Sequence, residues 1–226
     1  MTYMIMYNTL LAVAAGIGLL GIATLFRKLR QGTTVYAEGW SLLFGITGFI
    51  LTILGLFVTV TWPYHQTGVL DANILFGEPS VAFGVVLSAV AFYLWHSRTA
   101  LHLEKLQRML KPVSIYVFGV GLMMTACAVS WARYRLGAAP PFEPISGHFA
   151  GHPVLESSFL AALYGLIALG ALLFPFALHK KSKVLGEIIY ACWIVAGVVL
   201  LAFGALNYYT HIGMIQNTTT GTHYKY

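Results

Sequence analysis

Charge is what this chain has least of. Asp, Glu, Lys and Arg make up 9% of its 226 residues while hydrophobic residues make up 58%, against roughly 25% and 45–50% in an average soluble domain. No water-soluble fold hides that much apolar surface. Cysteine is nearly absent, and the two present, Cys127 and Cys192, fall inside apolar runs, which excludes both a spaced disulfide framework and a thiolate zinc site. They read as small packing residues. The first apolar run has no basic residue ahead of it and no small-residue cleavage site behind it, so it is expected to be a retained helix and not a signal peptide. Catalytic signatures are missing as well, and no nucleophile and base can be paired.

Six predominantly apolar runs of about 20 residues are present. They fall near Tyr3 to Phe26, Trp40 to Trp62, Pro79 to Trp95, Pro112 to Ala132, Pro153 to Leu178 and Val184 to Tyr208. A transmembrane barrel would alternate apolar and polar positions, and stretches such as Val85-Val86-Leu87 do not. The sequence therefore predicts an all-α polytopic membrane bundle of six transmembrane helices in one domain, residues 1–226. The net charge of +6 does not point to nucleic acid, because the basic residues sit in short clusters between apolar runs. One set of loops holds Arg27, Lys28 and Arg30, then Arg98, Lys105, Arg108 and Lys111, then Lys180, Lys181 and Lys183, which is ten of the thirteen. Cytoplasmic loops carry such an excess, so the expected placement is the cell membrane with both termini on the extracytoplasmic side.

The inner loop from Ser97 to Lys111 is amphipathic and is expected at the cytoplasmic interface. Glycines recur at Gly16, Gly18, Gly21, Gly45, Gly48, Gly197 and Gly204. They predict close helix packing within the bundle, in preference to a dimer seam. Dividing the chain at Lys111 gives two three-helix halves of opposite topology, but only Phe76-Gly77-Glu78 and Leu185-Gly186-Glu187 correspond, too little for a repeat.

Intramembrane acids are functional candidates by default. Glu38, Glu78, Glu156 and Glu187 all lie at the start of an apolar run, where a helix N-terminus favours a carboxylate without any ligand. Glu78 stands apart because Pro79 follows it. Proline suits the first helical position and biases its predecessor away from helix, so Glu78 is expected as an N-cap at the mouth of the third helix and as a candidate functional acid.

Histidines gather on the same side: His65, His148, His152, His211 and His223, with Asp71 and Glu156 near in sequence. His148, His152 and Glu156 are spaced by four, but Pro153 breaks the helical register. A transition-metal site from His65, His148, His152 and Glu156 would need loops to converge. Haem b is the related expectation, held by His96 with His179 or by His65 with His211. Water-bonded interfacial histidines are the plainer alternative. Aromatic residues cluster near the run ends as interfacial belts, and Asn217-Thr218-Thr219 matches a glycosylation acceptor on the outer side.

Thr61-Trp62-Pro63, followed by Asn73-Ile74-Leu75-Phe76-Gly77-Glu78-Pro79, resembles an uncharacterised family of prokaryotic polytopic membrane proteins, a domain of unknown function numbered 981. The resemblance covers mainly Thr61–Pro79. It implies a polytopic fold and an important Glu78 mouth, and it supplies no activity. Three roles follow for a protein whose immediate partner is the lipid bilayer. The first is a non-catalytic subunit or assembly partner of a larger membrane complex, bound to other membrane subunits or to itself. The second is a metal- or haem-binding redox protein using the outer His/Glu cluster. The third is a proton-linked small-solute transporter.

Overall fold

A computed structural model describes residues 7–67, 69–97, 101–137 and 139–224. The start of the first run at Tyr3, together with Arg98 and Lys225, lies outside them. Among the described residues six long helices account for almost everything: α1 (Tyr7–Arg30), α2 (Ala37–Thr61), α3 (Glu78–Ser97), α4 (Leu103–Tyr134), α5 (Pro153–Lys180) and α6 (Lys183–Thr220). All six are long and apolar enough to cross a membrane.

Helices α2 and α3, α4 and α5, and α1 and α6 pack as intimate pairs. Contacts of α1 with α2 and of α5 with α6 join these pairs into a ring, which stays loose at one seam because α3 and α4, though consecutive, barely touch. Glycines set the intimacy of the pairs, as their spacing predicts. A Cβ on Gly16 would lie 2.7 Å from the Gly197 carbonyl oxygen, and one on Gly204 would lie 2.9 Å from the Val13 nitrogen. Where lipid replaces water, such backbone approach is the main source of helix association. Gly45 does not take part so closely, its nearest neighbour being the Ala91 Cβ at 3.8 Å.

The basic segments share one end of the ring. Arg27 at the end of α1 lies over the Tyr190 ring of α6, 4.5 Å from its centroid, and donates to the Tyr190 hydroxyl at 2.6 Å. Arg30 donates to the Lys183 carbonyl at 3.2 Å and pairs with Glu187 at 3.3 Å. The Leu101 amide donates to the Val35 carbonyl, drawing the α3–α4 connection to the α1–α2 turn. This is the basic end. Residues 62–72 and 136–152 and the C-terminal turn of α6 form the opposite, loop end.

Two helices are longer than the apolar runs. The amphipathic stretch before Pro112 is not a separate element. It is the first part of α4, with Leu106 and Leu110 buried in the main core. Its apolar face was read correctly, but it packs against protein. At 38 residues α6 spans ~57 Å at 1.5 Å per residue, nearly twice a hydrocarbon core of about 30 Å. Nothing between Tyr208 and Thr220 breaks a helix, and α6 ends only at Gly221, left-handed at φ 69°.

Candidate functional site

The segment from Asn73 to Ser80 is organised by backbone groups that need partners. Asn73 is 1% exposed. Its Oδ1 accepts from the Tyr64 amide at 3.1 Å, and its Nδ2 donates to the Leu70 carbonyl at 2.9 Å. One side chain thus folds the α2–α3 connection onto the head of α3. The chain then makes a π-helical turn over Asn73–Gly77, a wider turn common at functional sites.

Glu78 departs from its expected place. It adopts helical angles, φ −64° and ψ −45°, behind that turn, so it is the first residue of α3 and not an N-cap, and its side chain is exposed. Proline biased the expectation away from helix, and the π turn is the local adjustment that lets Pro79 sit inside a continuing one. Pro79 has no N–H to offer the carbonyl four residues back, that of Leu75. The Tyr164 hydroxyl of α5 donates to this carbonyl at 2.7 Å. Around the bond run four aromatic rings: Tyr64 to Phe76 at 6.2 Å, Phe76 to Trp131 at 6.0 Å and Trp131 to Tyr164 at 6.1 Å between centroids. They join the α2–α3 connection to α4 and α5.

Beside it stands a cap made by residues 136–152 and the overhang of α6. Glu156 Oε2 accepts from the Ala139 amide at 2.7 Å, and the Ser157 hydroxyl donates to the Leu136 carbonyl at 2.6 Å. Glu143 is buried and lies 3.7 Å from His211 of α6. Pro144 presses on Gly213, where a Cβ would come within 2.5 Å of its ring. Asn217 donates from Nδ2 to the carbonyls of Phe142 and Tyr224, both at 2.8 Å, and its Oδ1 accepts from the Tyr224 amide. The glycosylation acceptor atom is therefore enclosed in a helix and doubly bonded.

Among the described residues no three His, Cys, Asp or Glu side chains gather as a metal ion requires. His65 and His148 lie exposed on two short 3-10 turns, Pro63–Thr67 and Ser146–Phe149. His152 is exposed and non-helical before Pro153, as the proline dictates. Glu156, the fourth expected ligand, is engaged with Ala139. Three of the four histidines of the expected haem pairs have other neighbours. His96 and His179 each turn back to a carbonyl of their own helix, Phe92 at 2.9 Å and Pro175 at 2.8 Å, while His211 lies 3.7 Å from Glu143. Sequence reading missed Glu143 and Tyr164, and it named His211 among the outer histidines without its acidic neighbour. A buried glutamate within a proline-rich loop and a tyrosine inside an apolar run leave no periodic signal.

Below this level, an apolar cavity of about 170 Å³ lies inside the ring, walled by α1, α3, α4, α5 and α6.

Residues 1–214 match the model of a family described as "Protein of unknown function (DUF981)". No curated protein and no solved structure matches the chain.

Proposed function

The chain belongs to this family of unknown function, which brings no activity with it, and from the geometry we propose a non-catalytic subunit of a larger membrane complex that docks its partner through the loop-end cap. One observation carries the reading. Phe142, Ile145 and Phe149, 39%, 37% and 44% exposed, project from a loop that Glu143 and Pro144 fasten to α6. Ile145 also holds φ 64°, an outlying conformation for a β-branched residue, and such strain persists only where its surroundings enforce it. Trp62 and Leu70 on the neighbouring connection add to the apolar exposure. Exposed apolar side chains on a braced segment beyond the bilayer mark a contact surface for another protein.

In this reading the basic end lies in the cytoplasm of a cell-membrane protein, and the cap and both termini lie outside. A single cysteine at Phe149 is then labelled in intact cells by an impermeant maleimide and one at Lys181 is not, with Cys127 and Cys192 replaced by alanine. For docking, a photoreactive residue at Ile145 in native membranes is expected to yield one discrete adduct, with another subunit or with a second copy. The same residue at Tyr36, exposed at the basic end, serves as the control. Absence of adducts at 142, 145 and 149 alike overturns the docking role.

A further inference from the structure

The seam between α2 and α3 opens towards the basic end. A Cβ on Gly48 would stand 2.9 Å from the Gly84 carbonyl oxygen, but one on Gly45, three residues earlier, would meet nothing nearer than the Ala91 Cβ at 3.8 Å. A glycine inside a helix is destabilising relative to alanine, and at Gly45 no close backbone approach offsets that cost. Its missing side chain leaves a groove of about 570 Å³ between the two helices. The small residues Gly45 and Ala91 are flanked there by Ile46 and Phe49 on one side and by Phe92 and Trp95 on the other, all four exposed. The Ser41 hydroxyl donates to the Ala91 carbonyl at 2.8 Å, so the groove is left apolar. From Ser41 to Ile50 it follows α2 for roughly 14 Å at 1.5 Å per residue. That is close to half of a hydrocarbon core of about 30 Å, the reach of one acyl chain in one leaflet.

Charge at the head of the groove is the second observation. Glu38 precedes Leu42 and Ile46 by four and eight residues, which puts it on their face of α2, directly above the groove. It is exposed and makes no ion pair among the described residues, whereas Glu187 at the same end pairs with Arg30. The α2 N-terminus favours a carboxylate in its first turn, but that leaves the outward-facing charge unanswered. The surface around it is otherwise rich in Lys and Arg, which suits a lipid phosphate. A lone acid above an acyl-length groove within a basic surface matches a headgroup that carries an ammonium beside its phosphate. We propose that the groove binds one molecule of phosphatidylethanolamine from the leaflet at the basic end, with an acyl chain lying along Gly45 and the ammonium donating to the Glu38 carboxylate.

The test uses the intact protein, delipidated in detergent, and native mass spectrometry with phosphatidylethanolamine or phosphatidylcholine of identical acyl chains. One phosphatidylethanolamine is expected to be retained, bound about fivefold to tenfold more tightly than phosphatidylcholine, whose trimethylammonium has no N–H to donate. Glu38→Gln is expected to abolish that preference, and Gly45→Phe, which sets a ring into the open groove, to abolish the one-to-one adduct. Equal binding of the two lipids to the wild type, a preference that survives Glu38→Gln, or an adduct that survives Gly45→Phe overturns the proposal. So does a dimer of the delipidated protein that Gly45→Phe dissociates, because a second copy then fills the groove. If Gly45→Phe does not fold, phosphatidylethanolamine brominated along its acyl chain decides, since bromine quenches nearby indoles. Saturable quenching that is lost in Trp95→Phe supports the groove, and quenching that never saturates or that Trp95→Phe leaves unchanged overturns it.

Discussion

Gly48 and Gly84 face each other across the α2–α3 seam so closely that a Cβ on either would stand 2.9 Å from the carbonyl oxygen of the other. One heptad away on both helices the relation repeats, with a Cβ on Gly55 placed 3.0 Å from the Gly77 carbonyl oxygen. The neighbours are backbone, which cannot swing aside, so the helices must separate to admit a side chain. Gly48→Val and Gly84→Val are each expected to cost about 1–3 kcal/mol or more, as overpacking does. The two together should fall short of the sum, because one separation relieves both clashes. Cys127 and Cys192 are free and buried, so a thiol-reactive dye reports the unfolding temperature without a further label.

Tyr164 and Pro79 make a second, separable prediction. Tyr164→Phe removes the donor to the Leu75 carbonyl and is expected to destabilise by about 1 kcal/mol, in the range measured for hydrogen bonds inside membranes. In a Pro79→Ala background the loss should shrink, because an amide returns at position 79. Equal losses in both backgrounds, measured as a double-mutant cycle of unfolding temperatures, would show the bond to be independent of the proline.

Release of the cap can be read locally. Glu143→Ala and His211→Ala each leave a buried partner unsatisfied, so residues 136–152 are expected to become cleavable by protease under conditions where the wild-type loop resists. The six helices should keep their thermal transition. Equal resistance of wild type and variants would assign the bracing to Pro144 and Asn217 alone.

The glycosylation pattern at Asn217 is expected to stay unmodified in a glycosylating host. Its Nδ2 is held by two carbonyls, so the mass of the wild-type protein and of Thr219→Ala should differ only by the substitution. Asn217→Ala should loosen residues 221–224 against the helix, measurable as faster amide exchange at Tyr224.

Sequence carried the architecture further than the site. Six apolar runs became six helices because hydrocarbon admits little else, and Gly16, Gly48, Gly197 and Gly204 announced close seams because small residues matter most where lipid competes for every contact. The basic clusters converge on one end as their loops required. The ends of helices were less legible. Composition marks where a run stops being apolar, whereas the helix stops where a residue such as Gly221 breaks it, so the extra turns of α6 were invisible, while those of α4 showed only as an amphipathic stretch. Glu78 was drawn out of the helix by the local preference of Glu-Pro, which ignores the π turn that precedes it. The pairing of Glu143 with His211 joins residues 68 positions apart and follows from packing alone.

The overhang of α6 has a mechanical consequence. Its last turns, Tyr209–Thr220, run ~18 Å beyond the apolar run at 1.5 Å per residue, and the loop fastened to them has no hinge between it and the rest of the helix. The cap therefore inherits its height and bearing from the bundle as a mast does from its hull, and any tilt imposed on it by a neighbour reaches Glu187 and Arg30 at the basic end.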